Sequence, residues 1–311
     1  MPVRRQGFTL PDLGAGWMLV AAFFFALMGL LVKLAGSRYS STELVFYRSL
    51  TGFVLILGVA GPLPTGLLTP HWRLHVQRSL CGILSLWLYF FALTRLPLAT
   101  AVTLNYTSPL FLGLFAVVLL GERARPLSML ALGIGFVGVV LLLKPHLDRD
   151  QLGAGLAGLI SGLFAGLAYL NVRAMGAVNE PEWRIVLYFT LLSTVVSGLA
   201  LLLPVALPAA AWPVGLQPLV PEPPHALSLR AVPLLMGIGV CALIGQLCMT
   251  RAYRTGALWL ASNFAYSAIV FSSLFGLVFH GEWLSPLAWA GMTVIIAGGV
   301  LASLSREQPA T

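Results

Sequence analysis

The chain has 311 residues, of which 59% are hydrophobic and only 9% charged (18 Lys+Arg and 10 Asp+Glu). A soluble globular protein carries roughly 25% charged residues. This composition, with a mean hydropathy of +0.92, excludes a cytosolic enzyme, a nucleic-acid module and a disordered tail, and leaves a membrane protein.

Apolar runs between turn signals predict ten membrane-spanning helices. In chain order they lie near 15–35, 43–60, 74–94, 98–120, 127–143, 153–173, 183–203, 231–250, 257–279 and 287–304. A span needs about 20 apolar residues, so ten of them fill about two thirds of the chain. A β-barrel would alternate in short segments, and runs such as Leu130–Leu143 do not. Arg4 and Arg5 precede a first run of full spanning length, so it is expected to be a retained helix rather than a cleaved signal. Cys81, Cys241 and Cys248 fall inside spans as small hydrophobes and imply no disulfide framework.

With a cytoplasmic N-terminus, the inside face collects 11 Lys+Arg and the outside face 6. Both termini are therefore expected in the cytoplasm. The Pro-rich connection 204–228 holds seven prolines and no Lys or Arg, which fits the outside. The net charge of +8 is an orientation signal rather than a sign of nucleic acid.

Shifting the chain by 160 residues aligns 81–143 with 241–303 without a gap, with 16 identities in 63 positions. Composition alone would give roughly six. Matches include Tyr106/Tyr266, Phe111/Phe271, Phe115/Phe275, Gly121-Glu122/Gly281-Glu282 and Pro126/Pro286. The expected fold class is all-α integral membrane. Two five-helix repeats, 1–147 and 151–306, are inverted because each holds an odd number of spans. Such repeats place a substrate site near the midplane of secondary transporters.

Several short motifs run in a recognisable order: Glu43 to Arg48 with Phe46-Tyr47, Phe91-Ala92-Leu93, Leu98-Ala99-Thr100-Ala101, Ser108-Pro109-Leu110-Phe111 and Gly121-Glu122-Arg123. Ala252-Tyr253 and Gly281-Glu282 follow in the second half. The chain resembles the drug/metabolite transporter superfamily, in its ten-helix branch with two EamA-type repeats. It departs from the pattern at Ile269, where proline is frequent. The resemblance implies a bacterial inner-membrane carrier of small metabolites, often an exporter. It also implies a cavity lined mainly by the first, third, fourth, sixth, eighth and ninth helices.

Polar residues inside spans are costly and mark candidate sites. Thr103, Tyr106 and Thr107 share one helical face, and their partners in the repeat are Asn263, Tyr266 and Ser267. Asn105 lies on a neighbouring face, while Tyr89 and Gln246 fall on corresponding faces of the third and eighth spans. Substrate-cavity candidates are therefore Tyr89, Asn105, Tyr106, Asn171, Gln246, Asn263 and Tyr266. Interhelical hydrogen bonding, worth about 0.6 kcal/mol on average, is the competing role for the asparagines. Glu43, Arg48, Glu122 and Glu282 are gate or structural candidates, the two Gly-Glu pairs reading first as turn and cap architecture. Lys33, Arg48, Arg78, Arg173 and Arg251 lie near helix ends and are expected to snorkel to the interface. Gly158, Gly162 and Gly166 are expected to permit close helix packing.

None of the ten carboxylates sits near the middle of a predicted span. A proton-coupled carrier needs an intramembrane titratable group, so uniport or facilitated export is expected. The cargo would be a small polar or amphipathic metabolite: amino-acid-like, vitamin or nucleoside-like. The alternative is an integral-membrane enzyme acting on lipid or isoprenoid substrates. It would need clustered His, Asp or Glu at one interface, which the sequence lacks. No catalytic residue, metal or cofactor is expected. The expected partners are the small-molecule metabolite and membrane lipid, with a homodimer left open and no nucleic acid.

Overall fold

The computed structural model describes residues 14–60, 66–118, 149–206, 223–255 and 264–304, with a few further positions between 130 and 141 and at 261. Among them are ten α-helices and no strand. A 3-10 turn at Gly14–Gly16 leads into α1 (Trp17–Ala35). α2 spans Ser41–Ala60, α3 Trp72–Arg95, α4 Leu98–Asn105 and α5 Ser108–Val118. α6 spans Arg149–Ala177, α7 Glu182–Ala206, α8 Val232–Thr255, α9 Ser267–His280 and α10 Pro286–Leu304. Five stretches are long and apolar enough to cross a membrane: Trp17–Ala35, Trp72–Arg95, Gln151–Ala177, Glu182–Leu203 and Val232–Tyr253. Most of the predicted fifth span, with Glu122 and Asn263, lies outside the described residues.

Local chemistry sets the helix boundaries. Ser40 and Glu43 form a reciprocal capping box at the start of α2, with Ser40 N donating to Glu43 Oε2 at 2.8 Å and Glu43 N to Ser40 Oγ at 3.4 Å. α9 ends in a left-handed Gly281 (φ 61°), and Glu282 N closes the turn on Gly276 O. Asn179 (φ 57°) plays the same part after α6, where Glu180 N bonds Met175 O.

The predicted fourth span is one helix by hydropathy but two in the structure. Pro109 has no N–H and crowds the carbonyl four residues back. The chain turns at Tyr106–Thr107 and restarts as α5. Thr107 Oγ1 donates to Leu104 O at 2.6 Å, using a carbonyl near the break. The repeat partner turns at Tyr266 in the same way, and Ser267 Oγ donates to Phe264 O at 2.7 Å. That turn forms with Ile269 in the proline position, so proline is not required for it.

The main packing partners are α3 with α6, α1 with α8 and α2 with α7. Residues early in the chain therefore bury their faces against residues late in it. The α6 glycines sit against the break between α4 and α5: a methyl group at Gly162 would lie 2.7 Å from Leu104 O and 3.0 Å from Asn105 O. Large apolar side chains such as Leu80, Leu199, Leu202, Val270 and Val278 face outward, as a lipid-facing surface requires.

Candidate functional site

A pocket of about 550 Å³, the open solvent at its mouth included, lies where α1, α2, α3, α4, α6, α7 and α8 converge. Its polar lining consists of Arg48, Arg78, Ser85, Tyr89, Asn105, Tyr106, Tyr169 and Gln246, and its apolar walls include Phe25, Met28 and Phe189. The α4–α5 break places Asn105 and Tyr106 at the cavity edge. Asn105 Nδ2 donates to Ser161 Oγ at 2.9 Å, and Ser85 Oγ donates to Ser161 O at 2.8 Å. These bonds hold α3, α4 and α6 in register. No hydroxyl of Tyr89, Tyr106 or Tyr169 has a hydrogen-bond partner among the described residues, and no Asp or Glu among them lines the cavity.

Two cations dominate the site. Arg48 and Arg78 are each only 2% exposed, so both depart from the snorkelling expected of them. Phe189 of α7 lies beside both, its ring centroid 5.5 Å from the Arg48 guanidinium carbon and 3.7 Å from that of Arg78. Arg78 Nη2 donates to Gln246 Oε1 at 2.9 Å. Arg78 was not a sequence candidate for the cavity. Its sequence signal is a charge more than a turn inside an apolar run, since α3 begins at Trp72. Arg48 lines the cavity, whereas Glu43, the other gate or structural candidate on α2, meets His225.

The other sequence candidates take different places. Glu43 is fully buried and, besides capping α2, accepts from His225 N at 2.7 Å and contacts His225 Nδ1 at 2.9 Å. It thus ties the segment before α8 to the start of α2. Asn171 donates back to Leu167 O at 3.0 Å within α6. Tyr266 is 3% exposed among core apolar residues, and its hydroxyl is buried without a partner. Glu282 pairs with Lys33 Nζ at 2.5 Å and accepts from Leu98 N at 2.7 Å, capping α4 from the corner between α9 and α10. Lys33 also donates to Leu96 O at 2.5 Å rather than reaching for an interface. Relative to the lining implied by the resemblance, α2 and α7 are added through Arg48 and Phe189.

A second hollow at the C-terminal end of α6 is lined by Val172, Arg173, Gly176, Ala177, Asn179 and Tyr253. Tyr169 of the first cavity and Tyr253 of this hollow meet with ring centroids 5.8 Å apart. The two aromatic rings therefore stand between the spaces.

Nearby, Glu180 clamps the α6–α7 corner. It accepts from Thr69, binds Arg184 Nη1 at 2.8 Å and lies 3.7 Å from His75 Nε2. Burial raises the Glu180 carboxyl pKa, but the hydrogen bonds from Thr69 and Arg184 and the charges of Arg184 and His75 outweigh it, leaving the pKa below its ordinary value. A depressed carboxylate stabilises the fold above its unfolded-state pKa, and that contribution disappears as pH falls through the folded value. Thermal midpoints in detergent are expected to fall below about pH 4. Glu180→Gln should have a lower midpoint at pH 7 and a flatter acid profile. An unchanged profile would remove Glu180 from this role.

Residues 12–144 match the EamA-like transporter family. The chain is 29% identical to a pseudopaline exporter of Pseudomonas aeruginosa, covering 93% of this chain and 95% of that protein. It is 26% identical to a riboflavin transporter of Rhizobium johnstonii, covering 92% of this chain and 89% of that one. A solved crystal structure, 22% identical, shares the fold with a TM-score of 0.62 over 95% of this chain and all of the other. With its apolar helices and an EamA-like transporter domain over residues 12–144, the chain is a multi-pass membrane protein, and its similarity to transporters points to a transporter rather than an enzyme.

Proposed function

We propose that this protein exports a small polar or amphipathic metabolite across the bacterial inner membrane by alternating access. In this reading ten helices form two inverted repeats, 1–147 and 151–306, with both termini in the cytoplasm and the 204–228 connection outside. The observation that carries it is a polar cavity shared by helices of both halves, beside a broken helix. Discontinuous helices at the substrate site are a recurring device of secondary carriers.

The packing pattern supports the inverted repeat. Under a two-fold exchange of the halves, the α1–α8 pair becomes α6–α3, and α2–α7 maps onto itself; these are the three main pairings. The breaks at Tyr106 and Tyr266 exchange in the same way. In this orientation the Tyr169–Tyr253 contact closes the cavity toward the cytoplasm, while Lys33–Glu282 and Glu43–His225 tie the outer ends. Rocking of one half against the other would open these two closures alternately.

The lining supplies no carboxylate among the described residues to carry a proton, which favours uniport. Counterflow of the exported metabolite in proteoliposomes tests the site. Asn105→Ala and Tyr106→Phe are each expected to slow it about fivefold, the loss of one hydrogen bond of about 1 kcal/mol. An imposed pH gradient with no concentration gradient should drive no uptake. Proton-driven uptake would overturn the uniport reading, and undiminished counterflow in both variants would move the site elsewhere.

A further inference from the structure

The cavity carries more positive charge than the protein compensates. Arg48 Nε and the Nε and Nη1 of Arg78 are buried with no hydrogen-bond partner. Gln246, a neutral amide, is the partner of the remaining Arg78 nitrogen, Nη2. The Phe189 ring can offset part of the charge, but its face cannot accept all of these in-plane N–H groups. Buried arginines in membrane bundles are ordinarily paired, and an unpaired one is costly. Here two share one cavity with no acid beside them among the described residues, and bulky aromatic walls complete the lining. A charge arrangement so unfavourable when empty is relieved when an anion enters.

We propose that the cargo is an organic anion, a metabolite bearing one or two carboxylate or phosphate groups on an apolar or aromatic body. Its oxygens accept hydrogen bonds from Arg78 and Arg48, and its body packs against Phe25, Tyr89, Tyr106 and Phe189. Guanidinium groups suit such oxygens because they present several fixed donors at once. The proposal rests on the carrier reading and narrows its cargo. It also supplies a driving force consistent with uniport. An inside-negative potential of about 100 mV favours a monoanion outside by about fiftyfold, and a dianion by the square of that factor. An anion therefore leaves the cell without proton coupling.

The test compares metabolites in cells and medium, by untargeted mass spectrometry, for cells expressing the full chain, cells without it, and cells expressing Arg48→Gln, Arg78→Gln or Arg78→Lys at equal membrane abundance. The compounds exported only with the chain should be anionic at pH 7, and their efflux should fall at least tenfold in both glutamine variants. Arg78→Lys keeps the charge and should retain part of the efflux. Fragment spectra separate carboxylates from phosphate esters, either of which supports the proposal. A neutral or cationic exported compound overturns it while leaving the carrier reading intact, as does undiminished efflux in both glutamine variants. No chain-dependent compound of any charge, from a folded protein in the membrane, overturns the carrier reading itself. The identified compound is then loaded into proteoliposomes under a potassium diffusion potential, where its steady-state gradient should change about fiftyfold per charge per 100 mV. A gradient indifferent to the potential overturns anion uniport. Should the glutamine variants fail to fold, the charge of the exported compound and the potential dependence of the wild type still decide.

Discussion

Gly162→Leu is expected to prevent the bundle from assembling, whereas Gly153→Leu should be tolerated. The two glycines lie on the same helix, α6, and differ in what a side chain would meet. At Gly162 even a methyl group falls 2.7 Å from Leu104 O and 3.0 Å from Asn105 O, which belong to the backbone at the end of α4. Backbone at a helix break cannot retreat by changing rotamer, and close-packed interiors transmit the strain. Overpacking of this kind typically costs about 1–3 kcal/mol for small additions. Gly162→Ala should therefore lower the thermal midpoint measurably, and the leucine variant should lose monodisperse protein in detergent. Nothing lies within 4 Å of a methyl group at Gly153, so its variants report the cost of the chemistry without the contact. Equal behaviour of the two leucine variants would refute the close α6–α4 approach. The same contact supports the site, because Asn105 and Ser161 meet across it.

Glu282→Ala carries the second large expected loss. Its carboxylate joins three corners of the bundle: the end of α1 through Lys33, the start of α4 through Leu98 N, and its own α9–α10 turn. Lys33 and Glu282 are 18% and 16% exposed, so water screens the pair only in part. Removing one partner leaves a largely buried ammonium and an orphan N–H at a helix start. Broken buried pairs cost about 3–5 kcal/mol, and this partly wetted one should fall near the lower end. Lys33→Met in the Glu282→Ala background should restore part of the lost stability, because it removes the stranded charge. Additive losses in that double-mutant cycle would mean the contact contributes nothing measurable. Glu282→Gln keeps an acceptor for Leu98 N and should lie between the wild type and the alanine variant.

Hydropathy made the long helices legible, since each apolar run is a local property. The capping box at Ser40–Glu43 and the turn at Gly281 are equally local. They rest on residue type at fixed offsets, independent of the rest of the chain. The break in the fourth span was less visible. Pro109 marks it, yet the second half turns at Tyr266 with Ile269 in the equivalent place, so composition alone does not specify it. The placement of polar side chains was legible only in part. Tyr89, Asn105, Tyr106 and Gln246 converge on the cavity, while Asn171 bonds its own helix and Tyr266 turns into the apolar core. Periodicity says which residues share a face; it does not say which neighbour that face meets.

The charges show the same division. From the amino-acid order alone follow the membrane class, the likeness of 81–143 to 241–303 and the small number of acids. These are sums and patterns along one chain, and no packing can alter them. Whether an arginine near a helix end reaches water or turns inward depends on what packs beside it. For Arg48 and Arg78 that neighbour is Phe189, more than a hundred residues away in sequence and brought between them by the packing of α7 against α2 and α3. Only the assembled bundle could turn two apparent interface charges into the lining of a cavity. The energy of a buried charge is set by its surroundings in space, and those surroundings come from both halves of the chain.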